Sequence, residues 1–154
     1  MSPSCINTSM SVRQIVLHQL QSIPEPLFDV QPQAFGNTIR WNVGHIVFYM
    51  DYYLSLDSSY QSNLPETYAR LFNTGTKPSD WIVSPPTKEE LVQLLSGQLD
   101  RLSDVSPNTL EAPLASPIEM GPFRFETFGD AFHFAFIHEA IHLGTISSLF
   151  KVVR

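Results

Sequence analysis

Residues 128–152 read FGDAFHFAFIHEAIHLGTISSLFKV, and this stretch decides the fold. Phe128, Ala131, Phe132, Ala135, His138, Ile141, His142, Thr145 and Leu149 recur at the three- and four-residue spacing that stacks side chains along one face of a helix. Thr127 with Asp130 three residues later resembles a capping box, Asp standing where Glu is usual. One long helix from Phe128 to about Val152 follows, and its broad apolar face must be buried against other helices.

Three further segments supply those partners. Val12, Ile15, Val16, Gln19 and Ile23 form a stripe over Ser11–Ile23, with Ser11 as N-cap and Pro24 as the stop. Thr38 caps a second helix from Ile39 to about Leu56, carrying Val43, Ile46, Val47, Met50 and Leu54 at helical spacing. Thr87 and Glu90 open a third, whose Leu91, Leu94, Leu95, Leu99 and Leu102 share one face, although Gly97 weakens it. The expected fold is all-α, a four-helix bundle in one domain spanning 1–154.

The connections complete that expectation. A long excursion joins the second and third helices between Asp57 and Pro86, with a short helix at Glu66–Phe72. Its Tyr60, Tyr68, Phe72 and Trp81 are placed either to cover a cavity as a lid or to anchor the loop. Between Pro107 and Phe125, four prolines and a Gly121-Pro122 turn flank Phe123 and Phe125, which predicts a short hairpin-like segment before the last helix.

Composition narrows the function. The chain has 154 residues, 43% of them hydrophobic and 16% charged, enough apolar material for one core. A net charge of −6 without long charge runs repels phosphate backbones and anionic headgroups, so neither nucleic acid nor membrane is an expected partner. The opening MSPSCINTSM lacks the basic and apolar regions of a secretory signal, and no apolar run is long enough to span a bilayer. The lone Cys5 makes no internal disulfide, sits in an expectedly mobile terminus and reads as incidental. A soluble cytoplasmic protein is expected.

The histidines carry the functional information. His138 and His142, four residues apart, place their β-carbons on one helix face roughly 5–6 Å apart, close enough to converge on one cation. The string His138-Glu139-Ala140-Ile141-His142 matches the HExxH pattern of zinc proteases, in which Glu is the base. The residues after Leu143, however, contain no His, Asp or Glu to act as a downstream third ligand. His45, mid-helix beside Gly44 and flanked by Trp41 and Tyr49, is the best upstream candidate. Three histidines from two helices leave coordination positions open, as catalytic sites do. The alternative is a set of core histidines, each satisfied by a carbonyl.

The other candidates rank lower. His133 lies five residues, about 140°, from His138 and points away, while His18 falls off its helix's apolar stripe. Glu139, about 100° from His138, reads as solvated or structural. Tyr49 and Thr145 are better placed to face the site, although packing or an intrahelical bond explains either one.

These residues resemble the DinB/YfiT-like family. Thr38-Ile39-Arg40-Trp41-Asn42-Val43-Gly44-His45 is similar to the family's Trp-x-x-x-His segment, and His138-Glu139-Ala140-Ile141-His142-Leu143-Gly144 to its terminal His-x-x-x-His-x-Gly segment. The layout is similar over nearly the whole chain, including Lys77-Pro78-Ser79-Asp80-Trp81 before the third helix. The resemblance implies a commonly dimeric four-helix bundle holding one divalent metal, zinc or nickel, on His45, His138 and His142. It further implies a small-molecule substrate and an activity of the kind its members show. These include S-transfer from low-molecular-weight thiols such as bacillithiol or mycothiol, isomerisation with such thiols, and metal-dependent hydrolysis. A non-catalytic metal-binding or structural bundle is the alternative from another class, and catalytic residues beyond the ligands are not assigned.

Overall fold

The computed structural model describes residues 3–154. Its helices are α1 (Ser4–Gln21), α2 (Ile39–Leu54), α3 (Thr67–Phe72), α4 (Lys88–Ser103), α5 (Pro107–Glu111) and α6 (Phe128–Val153). Strands β1 (Pro113–Met120) and β2 (Phe123–Thr127) form an antiparallel hairpin between α5 and α6. The protein is therefore mostly helical with a two-stranded sheet, which modifies the all-α expectation at the segment read as hairpin-like. Gly121, at φ 56°, takes the left-handed conformation that the tight turn requires.

Three of the four caps read from the sequence act as read, and the fourth, Ser11, lies inside a helix and donates to the Asn7 carbonyl. Thr38 accepts from the Trp41 amide and Thr87 from the Glu90 amide. Thr127 and Asp130 form a reciprocal capping box, so Asp replaces Glu without loss of the motif. These caps fix where α2, α4 and α6 begin.

The four long helices close a ring in which α1 packs on α4 and α6, and α2 packs on α4 and α6. Two apolar clusters fill it. One gathers Val16, Leu20, Ile39, Val43, Leu91, Leu95, Ile146 and Leu149; the other gathers Ile6, Met50, Tyr53, Leu102, Phe128, Phe132 and Ala135. Along each of α1, α4 and α6 a buried polar residue separates the two clusters: Arg13, Gln98 and Glu139.

Several expectations need correction. The first helix starts at Ser4 rather than Ser11, so Cys5 is helical and packs against the second cluster instead of lying in a mobile terminus. The buried face of α1 is Ile6, Ser9, Arg13, Val16 and Leu20, whereas Ile15 is 54% exposed. The stripe is rotated because Arg13 turns inward to meet Glu139. Ile141, assigned to the buried stripe of the last helix, is 61% exposed.

The excursion between α2 and α4 is an anchored segment rather than a lid. Phe72 is fully buried and Tyr68 nearly so, and α3 rests on α2. Gly44 makes this possible, since a β-carbon there would lie 2.2 Å from the Phe72 ring. Tyr60 and Ser62 donate to the buried Asp51 carboxylate at 2.8 and 2.7 Å, tying down the segment's start. Arg40 ties the chain before α2 to that before α4, pairing with Asp29 at 2.7 Å and donating to the Pro86 carbonyl at 2.8 Å. No helix among the described residues is long and apolar enough to cross a membrane.

Candidate metal centre

His45 from α2 and His138 and His142 from α6 meet at the contact between these helices. One potential ligand atom from each lies within 4.8 Å of the others, and no fourth His, Cys, Asp or Glu joins the group among the described residues. His45 is 3% exposed; the other two are half-buried. The ring centroids are 4.5 Å apart for His45–His142, 4.6 Å for His138–His142 and 5.0 Å for His45–His138.

Hydrogen bonds settle which ring nitrogens face one another. His45 Nδ1 lies 2.6 Å from the Phe72 carbonyl, which can only accept, so Nδ1 carries the proton and Nε2 presents a lone pair. Asn42 imposes the same tautomer on His142. Its amide nitrogen donates to Asn37 Oδ1 and to the Thr38 carbonyl, both at 2.8 Å, which leaves its oxygen to accept from His142 Nδ1 at 2.8 Å. His45 Nε2 and His138 Nε2 are 3.2 Å apart, a separation that needs a shared proton or a cation.

Electrostatics keep the cluster neutral. Burial pushes His45 below its ordinary value of 6.5. Burial, then the neighbouring His45, pushes His138 down to about 4, and burial with both neighbours takes His142 to about 3. Neutral imidazoles, two of them held in the tautomer that leaves Nε2 free, are the donor set borderline cations take. The second hydrogen bond on His45 and His142 is the outer support that metal-ligating histidines carry. The residues present therefore fit a divalent cation.

The wall of the site is aromatic. Trp41 stacks on His45 at 4.4 Å, and the Tyr49 ring lies 4.7 Å from His45 and 5.3 Å from His138. Their polar tips reach away to the segment after α3. Tyr49 Oη meets Asn73 and Thr74 at 2.9 and 2.7 Å, and Trp41 Nε1 donates to Thr76 at 2.9 Å.

The remaining sequence candidates fall elsewhere. Thr145 bonds weakly within its own helix at 3.4 Å, and His18 and His133 are exposed, the latter bonded to the Gly129 carbonyl. Glu139 is not solvated. It is 1% exposed and turns into the core to pair with Arg13, away from the histidines. Asn42 and the Phe72 carbonyl were not anticipated from the sequence. Asn42 had a signal, being a polar residue one turn before His45 in an otherwise apolar run.

The comparisons with known proteins agree with this architecture. A family model described as the DinB superfamily matches residues 11–146. The fold is similar to the crystal structure of a conserved protein from Enterococcus faecalis, with TM-score 0.68 and 15% identity over 99% of this chain and 98% of that one. No curated protein matches the sequence. With the matched span covering most of the chain and containing all three histidines, the chain belongs to the DinB superfamily.

Proposed function

We propose that this protein is a metal-dependent enzyme that transfers a low-molecular-weight thiol to a small electrophile, with His45, His138 and His142 as the metal ligands. A divalent cation on these three nitrogens would supply an open Lewis-acidic position at which a bound acid ionises at neutral pH. The chain's own contribution is to orient the ligands. Phe72 and Asn42 hold the tautomers of His45 and His142, while Trp41 and Tyr49 keep one flank apolar.

The observation favouring a thiol over water is the position of Glu139. The carboxylate that the HExxH pattern offers as a base is committed to Arg13, and the histidine cluster contains no other carboxylate. Water starts from a pKa of about 15.7, so its deprotonation and delivery profit from a base. A thiol starts from about 8.5 and is a strong nucleophile once ionised. In the proposed reaction the sulfur–carbon bond forms as the carbon–leaving-group bond breaks, and the thiol proton passes to solvent.

The test is thioether formation by mass spectrometry, with zinc- or nickel-loaded and chelator-stripped protein, over a panel of small thiols including bacillithiol and of aryl and alkyl halides. Metal-dependent conjugation with at least one thiol, abolished in His138→Ala, is expected. Metal-dependent ester or amide hydrolysis with no conjugation would assign the site to hydrolysis instead. A correctly metallated protein inactive in both screens would favour a non-catalytic role.

A further inference from the structure

A fully buried ion pair lies in the core outside the histidine cluster, and the reading above uses it only in that Glu139 is not free to act as a base. Arg13 is fully buried and Glu139 is 1% exposed. Arg13 Nε and Nη2 donate to the two carboxylate oxygens of Glu139 at 2.5 and 3.3 Å. Nη1 donates to the Leu95 carbonyl and to Gln98 Oε1, both at 2.9 Å. Gln98 Nε2 continues the chain by donating to the Val47 carbonyl at 2.9 Å. One connected network thus joins all four long helices, and among the described residues no buried side-chain polar atom lacks a partner.

Stability alone is a weak reason for such a network. A buried ion pair recovers little beyond its desolvation cost, and well-packed apolar residues of similar volume commonly serve a core as well or better. What an apolar contact does not supply is direction. The guanidinium fork meets its carboxylate in only one rotation and one height of α6 against α1.

The residues at the ends of the network are the informative ones. Glu139 directly follows His138 and precedes His142 by three positions, while Val47 is two residues past His45. A turn of α6 large enough to break the fork would swing both imidazoles away from His45, because successive residues are about 100° apart on the helix.

We propose that Arg13, Glu139 and Gln98 are positioning residues for the histidine cluster, fixing the rotation and height of α6 against α2 so that the three imidazoles converge. This rests on the reading of the cluster as a metal centre. Glu139 serves the site through the backbone of its own helix, from the opposite side to the one the HExxH pattern suggests.

The experiment measures zinc affinity by competition with a chromophoric chelator, alongside thermal unfolding of the metal-free protein, for wild type, Glu139→Gln and the apolar double variant Arg13→Met/Glu139→Met. The expected result is a double variant as stable as wild type or more so, with zinc affinity lower by about tenfold or more in both variants. A double variant that binds zinc as tightly as wild type overturns the positioning role and leaves the metal centre standing. Wild-type protein that binds no zinc or other divalent cation overturns the metal centre, and with it this proposal. Should the double variant not fold, Gln98→Leu, which cuts the links to Val47 and Arg13, carries the same test: lowered affinity supports the role and unchanged affinity overturns it.

Discussion

The side-chain oxygen of Asn42 accepts the Nδ1 proton of His142 at 2.8 Å, and the Asn42 amide nitrogen is held by Asn37 and the Thr38 carbonyl. The residue that follows the α2 cap therefore by one turn sets the tautomer of a histidine a hundred residues later in the chain. Asn42→Leu removes that acceptor while keeping similar bulk. Its expected effect is a loss of zinc affinity of about 10- to 100-fold, with the protein still folded. Chelator competition with circular dichroism checks both halves.

Gly44 is where α3 comes closest to the site helix. A methyl group there would meet three carbons of the Phe72 ring at 2.2–2.4 Å, and Phe72 is fully buried. Gly44→Ala should cost about 1–3 kcal/mol by overpacking. Displacing Phe72 also displaces the carbonyl that orients His45, so metal affinity should fall as well. Urea unfolding and zinc competition on one sample test the pair of effects.

The opposite outcome is expected at Gly97, on the exposed face of α4, where a β-carbon meets nothing within 4 Å. Gly97→Ala should raise stability by about 0.5–1 kcal/mol through helix propensity alone. Zinc affinity should not change, which makes this variant a control for the others. A shift in the urea midpoint at constant slope is the readout.

Much of this was legible in the sequence, and the failures have specific causes. The caps Thr38, Thr87 and Thr127 and the apolar spacing of α2, α4 and α6 are local signals, and the helices begin where these residues place them. The three histidines were legible because i,i+4 spacing forces proximity within one helix and because a long apolar helix has to pack on another. The rotation of α1 was missed because periodicity treats Arg13 as a surface residue. It is the only charged residue between Ser4 and Gln21, and its partner Glu139 is distant in the chain. Gln98 left a comparable trace, a polar side chain on the face of Leu91, Leu95 and Leu102. The start of α1 was lost because Ser4, Asn7, Thr8, Ser9 and Ser11 imitate a loop by composition, while packing of Ile6 holds them helical.

Acid should weaken the metal-free protein. The three histidines have folded pKa values below their ordinary 6.5, about 4 for His138 and about 3 for His142. The unfolded chain therefore takes up protons first as pH falls, and stability declines from about pH 6.5 downward until the folded state protonates too. Thermal midpoints of chelator-treated wild type between pH 7.5 and 5 should fall more than those of His138→Ala/His142→Ala. Equal slopes in the two proteins would contradict the neutral, buried state of the cluster.

The central claim is that three imidazoles from two helices hold one divalent cation. Its most direct test is elemental analysis of protein reconstituted with zinc or nickel and freed of excess metal, for wild type, His45→Ala, His138→Ala and His142→Ala. Close to one equivalent in the wild type and a large loss in each single variant is the predicted result. An empty wild type, or full occupancy in any one variant that remains folded, would contradict it.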